Sequence, residues 1–270
     1  MRYVTTPAVA LALFTAPAAG QLRPLDPFEW RLYDGGPAAV VEIGAAAYDD
    51  QPASLAGSAG TLLEVGSFRA FWRTGRVVFE AAGTVQRFFR EERTFAAPAS
   101  FVEPAADGHR RDSGDYLVSS TVRLTPAASR AAAYVRFGAR LPTTDNRTGL
   151  ERDMTDFFAL VGGRVTRGPL LVGAETGVSI NGTRDPEFEQ KDVMPYLLRV
   201  EYGLGPVVPG LTATGDVLGP SRELRGNEPL GELRMGLRST GRQWLRVEAV
   251  AGYRTYSPRA GIRVTGGIDW

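Results

Sequence analysis

Residues 262–270 read IRVTGGIDW, and this last stretch of a 270-residue chain alternates between two kinds of side chain. In an extended chain successive side chains point to opposite faces. One face therefore carries Ile262, Val264, Gly266, Ile268 and Trp270, and the other carries Arg263, Thr265, Gly267 and Asp269. The alternation predicts a β-strand whose two faces meet different environments, and the strand ends on an aromatic residue.

The same period of two recurs along most of the chain after residue 35, interrupted by Gly, Pro, Asn and Asp. About twelve strands are predicted, near 37–48, 61–73, 76–90, 114–125, 130–141, 155–166, 169–181, 192–204, 210–218, 230–239, 242–256 and 259–270. The pattern indicates an all-β protein.

Short and long links alternate between these strands. The short links fall at 74–75, 126–129, 167–168, 205–209 and 240–241, and the long polar links fall at 49–60, 91–113, 142–154, 182–191 and 219–229. Short turns on one side and long loops on the other are typical of outer-membrane β-barrels. An even number of strands also places both ends of the barrel on the same side.

Residues 1–20, MRYVTTPAVALALFTAPAAG, have the composition of a secretory signal peptide. Arg2 precedes a short apolar run, and small residues that suit a cleavage site follow it. No later stretch has the ~20 apolar residues that a transmembrane helix requires. We therefore expect a signal peptide at 1–20, an N-terminal segment at 21–35 and one β domain at 36–270. Pro24 and Pro27 interrupt regular structure in 21–35, which is expected to be a periplasmic tail or a plug inside the barrel.

A soluble β-sandwich also alternates, with its apolar face in a packed core. The signal peptide, the asymmetry of the links and the terminal aromatic together favour a transmembrane antiparallel β-barrel in the outer membrane. Trp270 is then the expected insertion signal for the barrel insertion machinery, and outer-membrane lipid is the expected surrounding. Two aromatic bands at the membrane interfaces are expected, formed by Trp72, Tyr202 and Trp270 at one end and Phe89, Tyr116, Phe157 and Tyr253 at the other.

A barrel in lipid turns its polar faces into the lumen, where charged side chains avoid contact with hydrocarbon. The candidate lumen and selectivity residues are Arg136, Arg140, Arg164, Glu175, Arg199, Glu201, Arg234, Arg246 and Glu248. Such charges either select a small solute in a narrow channel or pair with each other and fill a closed barrel. The first alternative predicts a porin-like transport protein of unknown solute. The second predicts a structural or surface-recognition barrel.

Other functions have less support in the sequence. Cysteine is absent, the formal net charge is +1, and no basic stripe suggests nucleic acid. His109, the single histidine, lies near Asp107, Asp112 and Ser113, but without the strand motif of lipid-modifying barrel enzymes we interpret it as a solvated loop residue. Asp145, Asp153 and Asp156 lack the spacing of a calcium loop. No enzyme activity, metal or cofactor is expected.

Residues 134–160 read YVRFGARLPTTDNRTGLERDMTDFFAL. A strand that ends in Leu-Pro-Thr, a polar loop, and then Gly and Thr-Asp before the next strand resembles the meta-pathway phenol-degradation family of outer-membrane barrels. The matching residues are Leu141, Pro142, Thr143, Asp145, Gly149, Thr155 and Asp156, which cover about one tenth of the chain. The resemblance implies a barrel proposed to pass small, often aromatic or hydrophobic compounds.

Overall fold

In the computed structural model, antiparallel strands are joined into one sheet that closes on itself. The structure describes residues 22–33, 36–105, 107–126, 129–152, 154–183, 190–218 and 225–270, and the expected signal peptide lies outside them. The described strands are β1 (Ala39–Ala53), β2 (Ser58–Thr74), β3 (Val77–Thr94), β4 (His109–Asp112), β5 (Tyr116–Arg123), β6 (Ala131–Leu141), β7 (Asp156–Arg167), β8 (Leu170–Gly182), β9 (Gln190–Tyr202), β10 (Val207–Leu218), β11 (Gly231–Ser239), β12 (Gln243–Gly252) and β13 (Ala260–Asp269). Two 3-10 helices, Trp30–Tyr33 and Asn146–Thr148, complete the described elements.

Twelve of the thirteen described strands form the barrel wall, since β4 pairs only with β3. Each wall strand pairs with its neighbour in the chain, and β1 closes the cylinder against β13 from Val40 opposite Asp269 to Asp49 opposite Ala260. This closed antiparallel barrel confirms the predicted fold class. None of the helices in the described residues has the length and apolar character needed to cross a membrane.

The short turns gather at the end of the barrel where β13 finishes. Gly75 and Gly168 have φ of 57° in two of these turns, in the left-handed region that glycine adopts without a steric penalty. The prediction of a long loop at 49–60 is wrong, because β1 extends to Ala53 and β2 begins at Ser58. The polar residues there resemble a loop in sequence, but they continue the hairpin through a bulge at which Asp50 has φ of 47°. The predicted 91–113 loop likewise contains β4.

The two faces of the wall have inverted polarity relative to a soluble protein. Apolar side chains such as Ile43 and Met235 are exposed on the outer face, with 63% and 68% of their surface accessible. Arg136 and Glu232, by contrast, are buried inside. A continuous exposed apolar face of this kind matches the hydrocarbon region of a membrane.

The aromatic bands are largely where the sequence places them. Trp72, Tyr202 and Trp270 are exposed at the short-turn end, and Tyr116, Phe157 and Tyr253 are exposed towards the other end. Phe89 is the exception, because it is buried inside with Tyr48, Leu62 and Leu150. Its neighbour Phe88 occupies the outer face instead.

Candidate functional site: the occupied lumen

The described part of the N-terminal segment, residues 22–33, lies inside the barrel; we call it the lumenal segment. Its backbone is bonded to side chains of the wall at successive levels. Thr214 donates to the carbonyl of Leu25 at 2.7 Å, and the Phe28 amide donates to Glu175 at 2.6 Å. Proline at 24 and 27 removes two backbone donors that such a confined chain would otherwise need to satisfy.

At mid-height the wall carries a network of buried ion pairs. Arg136, only 1% exposed, lies 2.8 Å from Glu80 and 3.3 Å from Glu175. Arg69 lies 2.7 Å from the other oxygen of Glu80, and Ser119 donates to Glu80 at 2.8 Å. The charges face each other across β2, β3, β6 and β8, so the strands' shared inward face assembles residues that are distant in sequence.

The lumenal segment contributes charges to this network. Asp26 pairs with Arg234 and also with Arg263, the latter at 3.2 Å. Arg23 pairs with Glu232, which lies 3.0 Å from Arg234. The segment therefore contributes both an anion and a cation, and each finds an opposite charge on β11 or β13.

Towards the short-turn end, Glu29 of the segment approaches three arginines. The distances are 2.9 Å to Arg31, 3.2 Å to Arg246 and 3.9 Å to Arg199. Arg199 also pairs with Glu201 two residues along β9. Buried ions require such partners, because a charge without one is costly in a low-dielectric interior.

Between these charges and the short turns, aromatic rings fill the lumen. Phe28 lies 5.3 Å from Tyr33 and 5.5 Å from Tyr134, measured between ring centroids. The same apolar cluster also holds Trp30, Phe71 and Trp244. The sequence analysis missed this layer, because the inward residues of each strand are mostly polar and half of the rings belong to the lumenal segment.

At the opposite end, Glu151 lies where the described chain begins. Its carboxylate accepts from the amide of Leu22 at 3.2 Å and from the amide of Asp115 at 3.3 Å, and it also pairs with Arg87. Arg87 lies 2.8 Å from Glu64 as well. The start of the lumenal segment is thus held by acids from both the wall and the loop before β7.

Arg152 lies at the same end of the lumen and is not among the lumen residues predicted from the sequence. It is 1% exposed, donates to the carbonyl of Gly182 at 2.9 Å, pairs with Asp156 at 2.5 Å and contacts the Asn227 side chain. Three long links meet at this one side chain. It could not be found from alternation because it lies in a loop, where the sequence has no period.

All nine predicted lumen residues lie on inward faces. Eight are buried, namely Arg136, Arg140, Arg164, Glu175, Arg199, Glu201, Arg234 and Arg246, and Glu248 is partly exposed. The structure brings Arg136 together with Glu175 and Arg199 together with Glu201. Arg140 approaches Asp156 at 3.9 Å.

The residues considered for catalysis have other partners. His109 is exposed at the start of β4, and the Ser113 hydroxyl donates to the Thr143 carbonyl at 2.6 Å. Asp112 accepts from the Ser113 amide and from the Thr148 hydroxyl, at 2.8 and 2.7 Å. Burial nevertheless raises the pKa of the Asp112 carboxyl to about 6. These contacts organise the long loops.

The acids considered for calcium are not assembled in the part of the chain that the structure describes. Asp145 caps the 3-10 helix Asn146–Thr148 and pairs with Arg147, whereas Asp156 pairs with Arg152. Asp153 lies outside the described residues. Among the residues with a described placement, no group of three or more metal-ligating side chains occurs.

The fold is similar to solved outer-membrane proteins. An outer membrane channel from Pseudomonas putida F1 is 13% identical, covers 91% of this chain and 100% of its own, and gives a TM-score of 0.59. The channel DcaP of Acinetobacter baumannii (10% identical, 86% and 96% covered) gives 0.43, and LpxR from Salmonella typhimurium (11% identical, 86% and 100% covered) gives 0.48. No family model and no curated protein matches the sequence.

The protein is an outer-membrane β-barrel. The first of these similarities supports the fold, which confirms the expected class and location, while its identity is too low to assign an activity. The phenol-degradation family itself is not confirmed by any match in sequence. Outer-membrane lipid is the surrounding that the exposed apolar face of the barrel requires.

Proposed function

We propose that the protein is an outer-membrane channel for a small solute, and that the lumenal segment is the plug that narrows it. The observation that carries this proposal is the way residues 22–33 occupy the lumen. They are joined to the wall through side-chain contacts and ion pairs, and the wall behind them is lined by charged groups. A wall of this kind would be hydrated once the segment moves.

The lumenal segment distinguishes this barrel from barrels in which the side chains of the wall fill the interior by themselves. Twelve strands enclose more space than eight strands, whose side chains suffice to fill a barrel. Here the remaining space is occupied by the lumenal segment, which runs through the lumen from Leu22 at the long-loop end to Tyr33 at the short-turn end. The resemblance to the phenol-degradation family suggests small aromatic or hydrophobic solutes, and the aromatic layer of Phe71, Tyr134 and Trp244 would suit them.

The test is planar-bilayer conductance of the refolded full chain and of a variant that lacks residues 22–33. The deletion is expected to increase single-channel conductance strongly, because it removes the backbone of the segment together with its own charged side chains and aromatic rings, and leaves only the side chains of the wall in the lumen. A matched variant, Arg147→Ala, changes an exposed loop residue (61% exposed side chain) and is expected to leave conductance unchanged. Absence of discrete conductance in both the full chain and the deletion variant would contradict a channel.

A closed structural barrel is the second candidate, and the density of buried ion pairs favours it. The network from Arg69 through Glu80 and Arg136 to Glu175 would stiffen a barrel without transport. On that alternative, the full chain and the deletion variant would both be silent in bilayers, and a strain without the protein would take up solutes at the normal rate.

A further inference from the structure

A cavity of about 140 Å³ remains beside the lumenal segment, between it and the inner faces of β1, β2, β3 and β5. A cavity of only ~10–15 Å³ can hold a single buried water, so this cavity is roughly ten times larger than that minimum. It is therefore large enough for a group of waters or for a small polar solute.

The positive charges around this cavity are already neutralised by the protein. Each arginine that lines it has a carboxylate oxygen within 4.0 Å among the described residues. The longest of the separations is 3.9 Å, between Arg140 and Asp156. An anion that enters would have to compete with these built-in carboxylates for every guanidinium.

Two carboxylates that line the cavity, by contrast, have buried oxygens that accept no hydrogen bond from the described residues. Glu42 on β1 is 3% exposed, and its Oε1 has no hydrogen-bond partner in the described part of the chain. Both carboxylate oxygens of Asp115 are buried and likewise lack a described donor, although the Asp115 amide is bonded to Glu151. Buried acceptors without donors cost free energy, so both sites favour an incoming donor.

We propose that this cavity binds a small cationic group, such as a primary ammonium, and that Glu42 and Asp115 make the channel select cations. The selectivity part rests on the proposed channel function. The large number of lumenal arginines would by itself suggest anions, but the free hydrogen-bonding capacity of the cavity belongs to acids. Carboxylates that face a channel favour cations, and an ammonium offers three donors to oxygens that lack them.

The electrostatics at Asp115 agree with this geometry. Burial and the neighbouring Glu151 raise the pKa of the Asp115 carboxyl well above its usual range. A carboxyl in such a place holds a proton when no other cation is present, and a bound ammonium would take over the role of that proton.

The first test measures the reversal potential of the refolded full chain across a potassium chloride gradient. Wild type is expected to be cation-selective, and the double variant Glu42→Gln/Asp115→Asn is expected to lose that preference. Glu103→Gln serves as the control, because Glu103 is an acid in a loop with 65% of its side chain exposed, away from the cavity. Anion selectivity in wild type, or cation selectivity that persists in the double variant, would overturn the proposal.

The second test does not depend on conductance. Isothermal titration of the refolded barrel with methylammonium chloride should give a saturable heat that the double variant loses, whereas sodium formate should give none. Formate binding, or no methylammonium binding, would overturn the cation site even in a conducting channel. A barrel that binds methylammonium but never conducts would retain the site and contradict the channel function.

Discussion

The indole N–H of Trp30 donates a hydrogen bond to the hydroxyl of Tyr134. This bond joins the lumenal segment to β6 within the buried aromatic cluster near the short turns. Gly173 on β8 makes room for this contact. A Cβ at that position would lie 2.3 Å from the Trp30 ring, far inside van der Waals contact. A residue without a side chain on the wall thus allows the largest side chain of the segment to dock.

Gly173→Ala is expected to displace the Trp30 ring and loosen the segment, since overpacking of this kind costs about 1–3 kcal/mol. The measurements are the rate at which trypsin cleaves the segment after Arg31 and the conductance of the refolded barrel, both of which should rise. Gly210→Ala is the control, because the nearest atom to its Cβ would be 3.5 Å away. Equal behaviour of the two variants would show that the Trp30 contact does not hold the segment.

Arg136→Met should destabilise the barrel by about 3–5 kcal/mol, because it leaves Glu80 and Glu175 buried without their shared cation. The free energy of unfolding is measured by urea titration in lipid vesicles. Arg147→Met, at an exposed ion pair, should change it by less than about 0.5 kcal/mol. A small effect at Arg136 would indicate that water solvates the acids in the lumen.

Met235→Arg tests the outer face of the barrel. Met235 lies midway along β11 and is 68% exposed, so the arginine would meet lipid and cost about 2–4 kcal/mol near the membrane midplane. Met235→Leu keeps an apolar side chain and should leave the unfolding free energy nearly unchanged. If arginine were tolerated as well as leucine, this face would not be in contact with hydrocarbon.

The loop around Asp112 should become less stable as the pH rises, because its carboxyl then becomes charged where burial disfavours the charge. Because its folded pKa of about 6 is above the value near 3.9 of an unfolded aspartate, the protonated form is favoured in the fold. That contribution to stability is complete below about pH 4 and is lost as the pH rises through 6. Amide exchange in residues 141–150, corrected for the intrinsic effect of pH, should therefore accelerate between pH 5 and 7.

Asp112→Asn keeps an acceptor for the neighbouring donors and removes the titration. Its exchange profile over the same pH range should be flatter than that of wild type. A variant with an unchanged pH profile would assign the effect to another acid near this loop, such as Asp115.

Much of the barrel wall was predictable from the sequence, because side-chain alternation reports directly on the two faces of a strand. Alternation placed Arg136, Glu175 and Arg234 on inward faces, where the structure has them. It did not place Phe89, because the inward positions of β3 change from even-numbered residues up to Thr84 to odd-numbered residues from Arg87 onward. Loop residues such as Arg152 carry no period, so their burial was not predictable.

The amino-acid sequence alone was sufficient to predict a strand-rich wall with charges on one face and apolar groups on the other, because that pattern is local. Which charged side chains pair with each other became clear from the folded barrel. Pairs such as Asp26 with Arg263 join residues more than two hundred positions apart, and they exist because closure of the barrel brings distant strands around the same segment. Among the described residues, the same closure leaves Oε1 of Glu42 and both carboxylate oxygens of Asp115 without a hydrogen-bond donor. Such a result depends on three-dimensional placement and cannot be deduced from composition.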